Sequence, residues 1–196
     1  MSDLFNSPLL WVEQPLRVPV AKSRYKVLNG DGAVIAKAAE QGVSLARGAL
    51  RAVSGGAIRR RVEVRGPDDA ALLLIEARTE GNAFVSWPNG ARVGSFEFAK
   101  RELYHSRAIL DHAGRRVGLL KAGKVGRRYE VIDAYGTPIA QIDKKWTGVL
   151  KEMLTTVDRY RVEIHRPLPD PLRTLVPVAA IALDMIFFEE KDWPLD

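Results

Sequence analysis

The side chains of this sequence best placed to do chemistry are cationic. Between Arg115 and Lys151 stand nine basic residues (Arg115, Arg116, Lys121, Lys124, Arg127, Arg128, Lys144, Lys145 and Lys151) against three acids (Glu130, Asp133 and Asp143), a local excess of +6. Such a concentration attracts polyanions, whether anionic lipid head groups or nucleic acid. Six of these cations, Lys121, Lys124, Arg127, Arg128, Lys144 and Lys145, flank turn signals in a way that gathers them at one end of neighbouring hairpins. They are the candidate head-group site. Trp146 beside them suits either a lipid interface or a core. The plain alternative is a solvated strand face that keeps the protein soluble. A smaller basic cluster spans Arg47 to Arg65.

Other chemistries are poorly served. His105, His112 and His165 are far apart and form neither a His-x-x-x-His nor a His-Glu-x-x-His pair. The run Ala122-Gly-Lys-Val-Gly126 lacks the spacing and the terminal Lys-Ser/Thr pair of a phosphate loop, and no Gly-x-Ser-x-Gly elbow is present. With no cysteine in the chain, disulfides, thiolate metal sites and S-acylation are excluded. Nothing points to an enzyme. The one puzzling ionisable residue is Asp184, inside the apolar run Leu172 to Phe188. A buried carboxylate needs a partner. An arginine or a backbone amide of whatever surrounds it is the expected one, and a proton-coupled role is the lesser reading.

These residues must be held by the elements around them. The run from Leu172 to Phe188 is apolar on every side, so it must be enclosed by lipid or by protein. It barely reaches the roughly 20 residues a membrane span needs, and it carries Arg173 and Asp184. Asp170 suits a helix cap and Pro171 a first helical position, so a core helix over 170–190 is expected, bent at Pro177. The rest of the chain supplies the enclosure. Turn centres near Asp68, Gly90, Ala113 and Tyr135 are separated by 22, 23 and 22 residues, and Asn29 to Gly32 marks an earlier turn. The runs between them alternate or are briefly apolar, which predicts a hairpin array of about twelve strands, counting a poorly marked one near Leu10 to Glu13. Closing such a sheet removes its edges and leaves a lumen that the apolar helix can fill. The expected fold is therefore mainly β: a closed antiparallel barrel around a buried C-terminal helix. A second, outer amphipathic helix is expected over Lys37 to Val53, on the spacing of Val43, Ala46, Leu50 and Val53.

No Pro/Gly/Ser-rich linker divides the 196 residues, so one domain is expected over 1–196, with a flexible tail at 1–8. The start MSDLFNSP has an acid where a signal peptide would be basic, which makes the cytoplasm the expected compartment.

The C-terminal third resembles the phospholipid scramblase family, and more closely its shorter bacterial relatives. The resemblance rests on Lys144-Lys-Trp-Thr-Gly148, Lys151-Glu-Met-Leu-Thr155, Asp158-Arg-Tyr160 and Ala182-Leu-Asp-Met-Ile-Phe-Phe-Glu189. It is dense from Gly114 to Glu189. These proteins are grouped with the tubby-like and LURP-one-related proteins, so the resemblance implies a twelve-stranded barrel wrapped on a C-terminal helix, together with lipid scrambling. It also implies a calcium segment over Thr156 to Asp170. There Asp158 matches an acidic position, while Thr156, Pro167 and Pro169 stand where the family has acids. Calcium takes six to eight oxygens, more than Asp158 and Glu163 supply, so no cofactor is expected.

The reading is a cytoplasmic barrel that touches an anionic phospholipid surface reversibly through a basic rim. Its rivals are a scaffold for an acidic protein partner and a nucleic-acid binder. The second is disfavoured because 8% aromatic content leaves few rings for base stacking.

Overall fold

Strands that alternate apolar and polar residues must hide one face, and here they do so by closing on themselves. The computed structural model describes residues 3–14, 24–41, 60–78, 81–100, 102–124, 127–146 and 158–188. Twelve strands, β1(Leu9–Gln14), β2(Arg24–Asn29), β3(Val34–Glu40), β4(Arg60–Arg65), β5(Ala71–Arg78), β6(Asn82–Ser86), β7(Arg92–Phe98), β8(Arg107–Asp111), β9(Arg116–Ala122), β10(Arg128–Asp133), β11(Pro138–Trp146) and β12(Asp158–Ile164), form one closed antiparallel barrel. Each strand pairs with the next, and β12 closes on β1 from Leu9↔Glu163 to Gln14↔Asp158.

Five of the hairpins turn by one device, at 29–33, 66–70, 87–91, 111–115 and 133–137. In each, the amide of the first residue donates to the carbonyl of the fifth, and the amide of the fourth donates back to the first; Asp111 N to Arg115 O is 2.9 Å and Gly114 N to Asp111 O is 3.0 Å. The fourth residue takes a positive φ, which favours glycine: Gly32, Gly90, Gly114 and Gly136 stand there, and Asp69 (φ 63°) in the turn at 66–70. A bulge in the flanking pair completes each turn. All five turns lie at one end of the barrel, the turn end. The opposite, loop end carries the connections between β1 and β2, β3 and β4, β5 and β6, β7 and β8, β9 and β10, and β11 and β12.

The core helix runs down the axis from the turn end to the loop end. It comprises Leu172–Leu175, a tighter 3-10 turn Val176–Val178, and Ala179–Phe188. The tight turn falls where Pro177 has no amide to donate. Leu172, Leu175, Ile181, Leu183, Met185 and Ile186 are all buried, each stabilising the fold by roughly 1.5–3 kcal/mol. Two wall glycines make room near the entry of the helix. A Cβ at Gly94 would collide with Leu110 O and lie 2.8 Å from Leu175 Cδ1, and one at Gly118 would lie 2.7 Å from Ile132 O and 3.4 Å from Leu172 Cδ2.

Three expectations need correcting. Asp170 does not cap the helix amides; it accepts from Arg173 Nη2 at 2.7 Å and Thr174 Oγ1 at 3.0 Å, so it fixes side chains of the first turn instead. Within the expected tail at 1–8, the described residues 3–8 are not loose. Asp3–Phe5 form a 3-10 turn, Leu4 is fully buried in the core, and Phe5 meets Trp87 edge-on at 6.5 Å. The outer helix over Lys37 to Val53 is replaced at its start by β3, because Ala38 and Glu40 point inward and Lys37 and Ala39 outward, a period of two. Its remainder, from 42 onward, lies outside the described residues.

Candidate functional site

Strand register decides where the six predicted cations go. The β9–β10 hairpin brings Lys121 opposite Glu130, and Gly123 N donates to Arg128 O at 2.7 Å, so Lys124 sits in the connection beside Arg128. Across β10 and β11 Arg128 faces Asp143, and Lys144 N donates to Arg127 O at 2.7 Å. Lys121, Lys124, Arg127, Arg128 and Lys145 are therefore close in the fold, at the loop end, and exposed. Arg128 Nε is 3.4 Å from Asp143 Oδ1, which offsets part of its charge.

Lys144 is different. Ala140 and Ile142 point into the barrel, and so does Lys144 two residues on. Its Nζ lies 4.0 Å from Asp184 Oδ1 and 5.1 Å from the centroid of the Tyr160 ring. The Tyr160 hydroxyl donates to Asp184 Oδ1 at 2.9 Å and the Tyr25 hydroxyl to Oδ2 at 3.0 Å; Gln14 Nε2 lies 3.5 Å from the Tyr25 oxygen. The wall partners of Asp184 are thus two tyrosines and a lysine, rather than the expected arginine or backbone amide. Four strands, β1, β2, β11 and β12, converge on the last turns of the core helix through this cluster. Tyrosine satisfies a buried carboxylate without adding a second charge, and a lysine near the C-terminal end of a helix also complements its dipole.

Two further polar contacts stand at the loop end. Glu40 and Arg60 approach to 3.6 Å with both side chains buried. Arg107, 2% exposed, donates through Nε to Gly81 O at 2.9 Å and through Nη1 to Tyr104 O at 2.7 Å and Ser106 O at 2.9 Å, and its guanidinium lies 4.8 Å from the centroid of the Phe187 ring. Arg107 carries no sequence signal, because its partners are backbone carbonyls, which any residue supplies. Tyr25 and Tyr160 carried a usable signal: each stands two residues before an inward valine, Val27 and Val162.

The calcium segment implied by family resemblance does not fit an ion in its described part. Glu163 accepts from Arg161 at 2.9 Å, Asp170 is held by Arg173 and Thr174, and only the backbone of Asp158, at the start of β12, is described. Among the described residues, no three acidic or histidine side chains gather as a metal site, and no helix is long and apolar enough to cross a membrane.

Comparison with known proteins agrees with this architecture. Residues 103–190 match the Scramblase family, which takes in the five strands β8 to β12 and the core helix. The whole chain is similar to an X-ray structure of a protein from Arabidopsis thaliana, with a TM-score of 0.53 at 10% identity over 95% of this chain and 94% of the other. At that identity the likeness concerns the fold alone. No curated protein sequence matches. Residues 103–190 are thus similar to the Scramblase family, and they help close a twelve-stranded barrel consistent with the tubby-like fold.

Proposed function

We propose that this protein is a scramblase-like barrel that binds anionic phospholipid head groups peripherally, at the cytoplasmic face of a membrane, and performs no covalent chemistry. One observation carries the reading: Lys121, Lys124, Arg127, Arg128 and Lys145 are exposed together at the loop end. Each cation near an anionic surface contributes about 1 kcal/mol, so several acting together give reversible, salt-sensitive attachment. Lys144 belongs to this site as a support. Held by Asp184 and Tyr160, it fixes the strand end that presents Lys145. Scrambling comes to the chain through its family alone. The core helix is sealed inside the wall, and moving it into a bilayer would expose the inward strand faces at a large hydrophobic cost.

Sedimentation with phosphatidylcholine vesicles, with and without phosphatidylglycerol, tests the proposal. Binding is expected only with the anionic lipid, to weaken with salt, to be indifferent to calcium, and to fall at least tenfold in Lys121→Glu/Lys124→Glu/Arg127→Glu/Lys145→Glu. Absence of binding to any vesicle refutes it and favours a scaffold for an acidic protein partner. Strong calcium dependence would return attention to Asp158.

A further inference from the structure

Next to the cationic rim the connection between β7 and β8 presents an apolar knuckle. Phe98, Leu103 and Tyr104 are 41%, 52% and 57% exposed, a high fraction for three large side chains when most apolar side chains among the described residues reach the core. Their arrangement is fixed. Phe98 and Tyr104 meet edge-on at 6.0 Å, and Tyr104 meets His105 at 5.2 Å; His105 in turn packs on Phe187 of the core helix at 4.8 Å. Arg107 holds the same segment from beneath, through Tyr104 O and Ser106 O, with its guanidinium 5.6 Å from the centroid of the Phe98 ring. Ser106 Oγ accepts from Ala122 N at 3.0 Å, which ties the knuckle to the end of β9, one residue beyond Lys121.

We infer that this knuckle is a membrane-interface anchor: Leu103 and Tyr104 enter the head-group layer of an anionic bilayer while Lys121, Lys124, Arg127 and Lys145 hold its phosphates. The inference rests on the lipid reading above and assigns it a depth and an orientation, with the loop end facing the bilayer and the turn end facing away. Charge complementarity selects the occupant. Three apolar side chains bordered by cations are too little surface for a stable protein interface, which buries about 800 Å² per partner. They do suit a bilayer interface, where aromatic rings settle at head-group level. A knuckle already fixed by Arg107 and Phe187 loses little conformational entropy on entering.

A probe can be placed at a single site because the chain has no cysteine. Leu103→Cys, labelled with an environment-sensitive fluorophore, is compared on phosphatidylglycerol-containing vesicles with Tyr135→Cys, a position 94% exposed at the turn end. The expected result is a blue shift and a several-fold rise in emission at 103, quenched by brominated acyl chains, with no change at 135. Leu103→Ser/Tyr104→Ser is expected to remove most of the binding that survives high salt. If the labelled protein sediments with vesicles but the probe at 103 stays in water, or both probes respond alike, the anchor is refuted and the cationic rim stands. If nothing sediments, the lipid reading fails and takes the anchor with it.

Discussion

At the turn end of the barrel five hairpins reverse the chain with the same pair of backbone hydrogen bonds and the same positive-φ position. At the loop end the connections all differ in length: they span residues 15–23, 41–59, 79–81, 99–106, 123–127 and 147–157. The turn end is closed by Leu4 and Phe5 and is built from short-range backbone chemistry. The loop end gathers inward-facing charge (Asp184 with Lys144, Glu40 with Arg60, and Arg107), with exposed cations on the adjoining ends of β9, β10 and β11. Repetition marks the end that sets register, and variety marks the end with surface to offer a partner, because a barrel fixed by one set of turns leaves its opposite connections free to diverge.

The comparison can be broken by substitution. Gly94→Val, on the half of β7 nearer the turn end, forces a side chain against Leu110 O and Leu175; it is expected to cost about 3 kcal/mol or more and to lower the urea midpoint of the whole barrel. Asp184→Ala, at the loop end, removes a carboxylate that accepts from two tyrosine hydroxyls and lies beside Lys144. A loss of about 2 kcal/mol is expected, because Lys144 is partly solvated and can turn to water. An effect as large as that of Gly94→Val would show that the loop end is as architectural as the turn end.

The smallest effect sharpens the picture by pH. The amide of Arg115 donating to Asp111, and that of Thr137 donating to Asp133, hold both carboxyls below the ordinary aspartate range. A depressed folded-state pKa contributes stability that is complete above the unfolded value, about 3.9, and is lost as pH falls through the folded one. Asn29 fills the equivalent place in the first hairpin, its Oδ1 accepting from Asp31 N and Ala33 N, so Asp111→Asn and Asp133→Asn should keep both turns. Denaturation midpoints from pH 7 to pH 3 are expected to fall less steeply in the double variant. An unchanged acid slope would mean that other carboxylates control it.

The barrel was legible because its signals are short. A turn that needs an acceptor at one position and a positive φ three residues later declares itself in four letters, and Asp133-Ala-Tyr-Gly136 does so without help. The apolar helix was legible because no other environment accepts Leu172 to Phe188. The interior of the loop end was harder to read. Lys144 reads as a rim residue because it stands beside Lys145 near a strand end, whereas the alternation of β11 carries it inside. Asp184 finds Tyr25 and Tyr160 through closure of the barrel, and sequence spacing encodes no such meeting. At Lys37 to Glu40 a three-and-four spacing farther along was extended back over residues that alternate by two.

The seam between β1 and β12 has a consequence for how the molecule comes into being. These are the first and last strands of the wall, and the ribosome delivers the core helix after both. Until then every strand made is part of an open sheet whose inward face has no filling. The barrel cannot close on its axis early, and the nascent wall must wait with an apolar face uncovered, exposed to aggregation, until the core helix leaves the exit tunnel. The most apolar stretch of the chain is thus also the one whose arrival ends the most hazardous interval of its synthesis.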